Sequence, residues 1–308
     1  MQIKNDWIKS GVIFSPKDLN NWITSHAYVP TPFLLNDEVI RIFAAFRDTT
    51  GVGRVGYVDV AAENPMKIIS LSSTPCLNIG LPGAFDDNGV TPISIVKHKN
   101  NLYLYYMGWQ LSDKIRYLLF AGLAVSTDMG NSFTRLKNVP ILERTDKEFF
   151  LRSAPWVLKQ GKKWHMIYPG GNSNISIDNK ILPSYSLKYL SSNHGTNWAG
   201  KPHEIFMLNK TEYGFGRPFF IHENGIYKLW YSIRSFNEKY RLGYAESLDL
   251  QKWTRLDHQL DLFTNNAESY EDQMQAFAAI IQTKYGNYMF YNGNDYGKTG
   301  ICFARQRS

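Results

Sequence analysis

Short alternating runs of apolar and polar residues recur along the whole chain, and many of them are rich in aromatic side chains. Tyr227–Tyr231 is one example, and polar turns separate it from the runs on either side. Aromatic and β-branched residues in such alternation favour strands over helices. The pattern therefore predicts an all-β protein.

One order of turns and strand-like segments recurs five times along the chain. An acidic or polar turn precedes a buried strand, and a short polar turn then leads to a second, aromatic strand; the clearest copy is Phe85–Val96 followed by Asn101–Trp109. Third and fourth strand-like segments follow in four of the copies. Four consecutive antiparallel strands with short turns form one blade of a β-propeller. We therefore expect residues 1–308 to form one five-bladed propeller domain, with copies that begin near His26, Asp86, Phe150, Gly216 and Met274.

The fifth copy lacks a fourth strand, and the chain offers a replacement at its other end. Residues Asn5–Phe14 read as one strand with no hairpin partner beside it. Pairing this strand with the last one would close the ring and remove an exposed sheet edge. The sequence thus predicts that the N-terminal strand completes the last blade.

Three turns between third and fourth strands share a polar pattern, which centres on Ser126 and Asp128, Ser192 and Asn193, and Ser247 and Asp249. Short polar side chains at such places bond to local backbone N–H groups. We expect these residues to be structural.

Charge and composition limit the classes of function. The net charge is +7, from 34 basic and 27 acidic residues, but the basic residues are scattered along the chain. This argues against nucleic acid as a partner and leans toward glycans or anionic small molecules. No apolar stretch has transmembrane length, and the first residues lack the apolar run of a signal peptide, so we expect no membrane insertion and a cytoplasmic location. Two cysteines, Cys76 and Cys302, imply no disulfide framework.

Chemistry in a propeller is expected where the first strand of each blade lines the central channel. The five first strands align on Pro32, Pro92, Pro155 and Pro218, with Ala276 in the fifth place. Residues just before these positions reach the pocket at one end of the channel. The ionisable candidates there are His26, Asp86, Asp87, Arg152, Glu212, Arg217, Glu271 and Asp272.

The blade repeat, the Ser-x-Asp turns and the phrase Tyr288–Asn294 followed by Gly300 resemble the five-bladed propellers of glycoside hydrolase families 43, 32, 68, 117 and 130. The resemblance implies a central pocket in which two carboxylates flank a glycosidic bond, one as acid and one as base or nucleophile. It assigns Asp87 as base or nucleophile and Glu212 as general acid, with Glu271 or Asp272 as second choice for either role.

The resemblance also implies a substrate-binding set. Arg217 would hold a carboxylate or another anionic substrate group in a bidentate manner. Arg47 and Asp48 would line the rim of the pocket. The complete predicted set is His26, Arg47, Asp48, Asp86, Trp109, Arg152 and Arg217. No cofactor is implied; some relatives carry a structural calcium in the channel, and this sequence shows no dedicated ligand motif for one.

This chain departs from family 43 at two carboxylate positions. Thr31 stands before Pro32 where those enzymes place an Asp, and Gly216 and Arg217 stand where they place a catalytic Glu. Two hypotheses therefore stay open. One is a glycoside-processing enzyme, a hydrolase, transglycosylase or phosphorylase; the other is a non-catalytic carbohydrate-binding or polysaccharide-assembly protein on the same fold.

Structural alternatives also stay open for the candidate acids. Asp86 and Asp87 could form an Asx-rich turn, and Glu212 could pair with Arg217 inside the channel wall. No phosphate-binding glycine loop, zinc-type Cys/His cluster or Gly-x-Ser-x-Gly motif occurs in the sequence.

Overall fold

The computed structural model describes residues 6–177, 180–260 and 268–307, in which nearly all regular structure is β. A helical turn at Asn294–Gly297 and a 3-10 turn at Asp257–Gln259 are the helical elements of these residues. No helix in the described ranges is long and apolar enough to cross a membrane. The all-β prediction is confirmed.

The strands are numbered in chain order. They are β1 (Trp7–Phe14), β2 (Ala27–Asn36), β3 (Val39–Arg47), β4 (Gly53–Ala61), β5 (Ile68–Leu71), β6 (Val90–His98), β7 (Asn101–Leu111), β8 (Tyr117–Ser126), β9 (Thr134–Arg135), β10 (Leu151–Arg152), β11 (Trp156–Gln160), β12 (Lys163–Ile177), β13 (Lys180–Ser192), β14 (His203–Glu204), β15 (Glu212–Glu223), β16 (Ile226–Ser235), β17 (Arg241–Ser247), β18 (Trp253–Arg255), β19 (Ala276–Thr283), β20 (Gly286–Asn292) and β21 (Ile301–Gln306).

Antiparallel pairing groups these strands into meanders of four. The groups are β2-β3-β4-β5, β6-β7-β8-β9, β11-β12-β13-β14 and β15-β16-β17-β18, and the last is β19-β20-β21-β1. Strand β1 pairs antiparallel with β21, from Trp7 opposite Gln306 to Phe14 opposite Ile301. The predicted completion of the last group by the N-terminal strand is therefore confirmed.

The first strands of the groups contact one another in a closed series. Strand β2 contacts β6, β6 contacts β11, β11 contacts β15, β15 contacts β19, and β19 contacts β2 again. Short parallel pairings add to the contact between neighbouring groups, as where β10 pairs with β8 and β13 with β15. The chain thus places its first strands around a common axis.

Apolar side chains fill the spaces between neighbouring groups. Trp7 from β1 packs with Trp230 from β16, Tyr244 from β17 and Met289 from β20, and all four are buried. Burying a large side chain of this kind stabilises the fold by roughly 1.5–3 kcal/mol. The aromatic richness of the sequence is largely explained by this packing between sheets.

The predicted polar turns behave as structural caps. Ser126 Oγ accepts hydrogen bonds from the backbone N–H groups of Asp128 and Gly130, and Ser247 Oγ does the same for Asp249 and Leu250. Burial alone would raise the pKa of Asp128, but hydrogen bonds from Ser126, Ser132 and nearby backbone lower it to about 2. In the third turn Ser192 takes the capping role, since its Oγ accepts from the N–H groups of His194 and Gly195.

Candidate functional site

The first strands share a backbone kink near the axis, and this kink corrects the predicted alignment. Val29, Ala154, Arg217 and Phe277 have left-handed φ angles of 55°, 45°, 38° and 62°. They are followed by Pro30, Pro155, Pro218 and Ala278. The first and fifth strands therefore align on Pro30 and Ala278 rather than on Pro32 and Ala276. The sequence could not decide between Pro30 and Pro32, because the kink is a property of the backbone and not of proline itself.

The residues at the kink carry no carboxylate. They are Val29, Ala154, Arg217 and Phe277; in the second group Thr91 precedes Pro92 but does not have a left-handed φ. Non-glycine residues in the left-handed region are strained by roughly 1–3 kcal/mol, and such strain tends to occur where a fold shapes a site. In this chain the strained positions present apolar groups and one guanidinium.

Arg217 links the first strands of different groups through hydrogen bonds and does not point toward a substrate. Its Nη2 donates to the carbonyl of Pro30 at 2.8 Å, and Nη1 donates to the carbonyl of Ala278. The residue is 3% exposed, and burial lowers the pKa of Arg217 to about 9. No carboxylate of the described residues pairs with it, so the alternative of a Glu212–Arg217 pair is wrong. Arg217 links first strands that are far apart in sequence.

Three of the predicted acids belong to a repeated internal arrangement that the sequence did not reveal. Asp86 Oδ2 accepts from Tyr106 Oη at 2.9 Å and from Arg135 Nε at 2.8 Å. Tyr106 lies on the second strand of the group and Arg135 on the outermost strand. An acid that contacts the outermost strand of its group lies away from the axis.

Glu271 repeats this arrangement, and Glu212 repeats its contact with a cation of the outermost strand. Glu271 pairs with Lys9 of the outermost strand β1 at 2.5 Å and accepts from Tyr291 Oη at 2.6 Å. Glu212 is held by Arg255 of the outermost strand β18, at 2.7 and 3.0 Å. Both oxygens of Glu212 are therefore occupied, which does not favour a role as general acid.

A fourth copy involves Glu148, which was not among the candidates. It pairs with Arg152 at 3.0 Å and accepts from Tyr168 Oη at 3.1 Å. The predicted binding residue Arg152 is 6% exposed and donates inside the protein, to Glu148, Tyr168 and the carbonyl of Glu143. A signal for the acid–tyrosine contact does exist in the sequence, since the two residues are separated by 20 residues in three copies: Asp86 and Tyr106, Glu148 and Tyr168, Glu271 and Tyr291.

Asp87 and Asp272 differ from these acids because neither pairs with a cation of the described residues. Asp87 is half-buried, and its oxygens accept from the Gly83 N–H and from Asn88 Nδ2, both at 2.8 Å. Asp272 is exposed and accepts from Asn294 Nδ2 at 2.7 Å. The local bonds of Asp87 are those of the Asx-type turn proposed as its structural alternative.

His26 and Arg47 do come together at the pocket end. Arg47 Nη1 donates to His26 Nε2 at 3.3 Å, so the ring proton lies on Nδ1, which bonds to Ser25 Oγ at 2.8 Å. Burial and the charges of Arg47 and Lys298 lower the pKa of His26 to about 4. Asp48, the other rim candidate, instead accepts from the N–H groups of Thr50 and Val52 in its own turn.

Aromatic side chains cover an apolar cluster that includes Val29 and Ala154 of the kink. Trp109 Nε1 donates to Thr91 Oγ1 at 3.0 Å, and the Trp109 ring packs edge-on against Tyr117 at 5.1 Å. Both rings are partly buried and pack on an apolar cluster that draws residues from β2, β3, β6, β7, β8, β10 and the kink at Ala154. The cluster consists of Tyr28, Val29, Ala45, Ile93, Met107, Leu119, Phe150, Leu151 and Ala154, and we call this end of the molecule the axial face.

A cleft of about 300 Å³ opens beside the axial face and was not expected from the sequence. Its lining includes Arg234, Tyr213, Tyr240 and Tyr296. Tyr240 packs on Phe277 of the kink at 5.6 Å, which joins the cleft to the axial face. Arg234 is 7% exposed and carries no signal in the sequence, because only the fold surrounds it with tyrosines.

Aromatic rings bind the apolar faces of sugar rings, and arginine binds carboxylates and phosphates. The axial face and its cleft combine these two kinds of group. No cluster of three or more His, Cys, Asp or Glu residues that could hold a metal ion occurs in residues 6–177, 180–260 and 268–307.

Comparison with known proteins agrees with the fold. No family model matches the chain. The uncharacterized protein Rv1502 of Mycobacterium tuberculosis is 29% identical over 301 residues, which cover 97% of this chain and 98% of that protein.

Solved structures similar to this chain are glycoside hydrolases with a propeller fold of the family 43, 32 and 62 type. The RGII complex of BT0996 has a TM-score of 0.73 at 19% identity, covering 99% of this chain and 93% of that one. The α-L-arabinofuranosidase PaAbf62A from Podospora anserina in complex with cellotriose has a TM-score of 0.67 at 13% identity, covering 99% and 98%. This chain has the fold of these enzymes.

Proposed function

We propose that this chain is a five-bladed β-propeller that binds a carbohydrate at its axial face, through aromatic rings and arginines, without cleaving it through Glu212 or Glu271. The observation that carries the proposal is the composition of the kink. The four kink positions with left-handed φ angles hold Val29, Ala154, Arg217 and Phe277, Thr91 precedes Pro92 in the second group, and none of these residues is an acid.

The blade count rests on the pairing of the strands. Five groups of four strands, with their first strands in a closed series of contacts, are the arrangement of a five-bladed propeller. Completion of the last group by β1, which pairs with β21, is a common means of closing such a ring.

The partners of the buried acids support binding over hydrolysis. Cleavage of a glycosidic bond needs two carboxyl groups that flank the bond and exchange protons with it. Glu212 and Glu271 are each held by a cation from an outermost strand and are almost fully buried. Neither is free to face a ligand at the axis.

The fold and the ligands of related structures support carbohydrate as the partner. The similar structures are glycoside hydrolases, and two of them are described as complexes, one with RGII and one with cellotriose. In this chain the half-buried rings of Trp109, Tyr117 and Tyr185 offer stacking surfaces at the same end as the kink.

The proposal is tested by calorimetric titration with a panel of neutral and acidic oligosaccharides. We expect saturable binding that Trp109→Ala weakens by about five- to thirtyfold, since a ring stacked on a ligand contributes on the order of 1–2 kcal/mol. The matched control is Tyr285→Ala, which removes an exposed ring in the turn between β19 and β20. Absence of binding across the panel, or equal weakening by both variants, would contradict the proposal.

Hydrolysis through Asp87 and Asp272 is the second candidate, because these two acids have no cation partner in the described residues. In that case Asp87→Asn abolishes turnover of a glycoside and leaves the melting temperature nearly unchanged. Asp37→Asn, in the exposed turn after β2, is the control for loss of a surface carboxylate. Full activity of Asp87→Asn would exclude this candidate.

A further inference from the structure

The cleft beside the axial face is formed around one buried guanidinium. Arg234 lies at the end of β16, near Tyr185 of β13, Tyr213 of β15 and Tyr240 before β17. Its guanidinium carbon lies 4.4 Å from the ring centre of Tyr213 and 5.7 Å from that of Tyr240. Tyr296, which is half exposed, forms part of the outer lining.

Within the described residues, one of the three guanidinium nitrogens of Arg234 is used inside the protein. Nη1 donates to Tyr185 Oη at 3.0 Å and to the carbonyl of Pro183 at 3.3 Å. Nε is buried and has no acceptor in the part of the chain that the structure describes. The edge of the guanidinium that includes Nε therefore keeps hydrogen-bonding capacity that the described residues leave unused.

No acidic residue of the described ranges neutralises this cation. None has a carboxylate within ion-pair distance of Arg234, and Glu238, which also lines the cleft, pairs with Arg241 at 3.4 Å. A buried charge without a counter-ion costs several kcal/mol, of which cation–π contacts recover part. A fold that keeps such a residue, and surrounds it with tyrosine rings at the wall of a cleft, has a place for an external anion.

The shape of the available edge identifies the anion. The Nε and Nη2 hydrogens of arginine point in the same direction and match the two oxygens of a planar carboxylate. The flanking tyrosine rings suit the apolar face of a pyranose. We propose that Arg234 binds the carboxylate of an acidic sugar residue, a uronic acid, in this cleft. The assignment rests on the proposed carbohydrate binding and adds the class of sugar and the residue that selects it.

The test compares ligands that differ only in their charge. Oligosaccharides of galacturonic acid and of glucuronic acid are titrated against their methyl esters by calorimetry, with inorganic phosphate as a further probe. Charge-assisted hydrogen bonds contribute about 1.5–3 kcal/mol, so wild-type protein should bind an acid at least about tenfold more tightly than its ester. Arg234→Gln should reduce this ratio to about one.

Two further variants keep the result interpretable. Arg234→Lys keeps the buried charge but lacks the two parallel donors, so it should fold and lose most of the preference for the acid. Arg305→Gln removes an exposed arginine that lies over the ring of Tyr288, in another part of the molecule, and should leave the preference unchanged.

The outcomes separate the two proposals. If acids and esters bind equally, or if Arg234→Lys keeps the full preference, carbohydrate binding stands and the assignment to Arg234 is wrong. If phosphate alone binds and no acidic sugar does, the cleft is an anion site of another class and the uronate assignment is wrong. If no oligosaccharide binds, the proposed function itself fails.

Discussion

Arg255, on the outermost strand of its sheet, binds both carboxylate oxygens of Glu212, which begins the first strand of the same sheet. The Nη2–Oε1 and Nη1–Oε2 distances are 2.7 and 3.0 Å. Arg255 also binds Asp257 Oδ2 at 2.7 Å, and Tyr231 donates to Asp257 Oδ1. The acid, the tyrosine and the cation therefore fasten the start of the first strand to the outer edge of the sheet.

Glu212→Gln should lower stability without affecting the binding of carbohydrate. The change leaves the partly buried Arg255 with one carboxylate instead of two, at an expected cost of about 2 kcal/mol in the free energy of unfolding. Urea denaturation and calorimetric titration measure the two effects. Asp6→Asn removes an exposed ion pair with Arg307 and should change stability little. Loss of turnover on a glycoside with unchanged stability would instead restore Glu212 as a general acid.

Trp7→Ala should show how strongly β1 holds the last sheet. Trp7 is 3% exposed and packs between two groups of strands, so truncation leaves a cavity and costs about 3–5 kcal/mol. The neighbouring residue Ile8 points outward on the same strand and is 48% exposed. Ile8→Ala is thus the matched control, and we expect little effect on the urea midpoint. Equal midpoints for the two variants would argue against a structural role of β1.

Gly122→Ala should disturb the tyrosine that holds Asp86. A Cβ at Gly122 would lie 2.2 Å from Tyr106 Cζ, because the tyrosine crosses the glycine on the neighbouring strand. Overpacking of this kind costs about 1–3 kcal/mol. At Gly216 the nearest atom would be 3.7 Å away, so Gly216→Ala should be tolerated. Thermal unfolding of the two variants measures the difference, and a stable Gly122→Ala would show that Tyr106 can move at little cost.

His26 should make stability depend on pH between about 4 and 6.5. Its folded pKa is about 4, lowered by burial and by Arg47 and Lys298, whereas Asp295 opposes the shift. In this range the unfolded chain binds a proton that the folded chain does not, so stability rises with pH. Because the ring is only half-buried, the contribution is discounted to about 1 kcal/mol. His26→Gln should lose less stability than wild type when the pH falls from 6.5 to 4, and an identical loss in both would contradict the assignment.

The order of apolar, polar and turn residues along the chain predicted the strands better than it predicted the functional site. Alternation and turn residues predicted the four-strand groups, and the missing fourth strand near Ile301–Gln306 predicted the pairing with Trp7–Phe14. These inferences succeed because a strand and its hairpin partner are neighbours in sequence, so that local patterns report local pairing. The Ser-x-Asp caps succeed for the same reason, since their hydrogen bonds span two to four residues.

The partners of the acids were harder to predict because they come from distant parts of the chain. Asp86 is bound by Arg135, 49 residues later, and Arg234 is bound by Tyr185, 49 residues earlier. A sequence can show that an acid precedes a first strand, but not whether its carboxylate faces the axis or the outer edge.

The sequence by itself determined the β class, the repeat of four strands and the pairing of the first strand with the last, because the strands follow from periodicity and the last group lacked a fourth strand. Only the tertiary structure decided the place of the kink at Val29, the role of Arg217 as a link between first strands, and the gathering of tyrosines around Arg234. Those features arise where separate sheets meet around the axis. Their free energies depend on burial and on partners supplied by other sheets, and no local pattern encodes them.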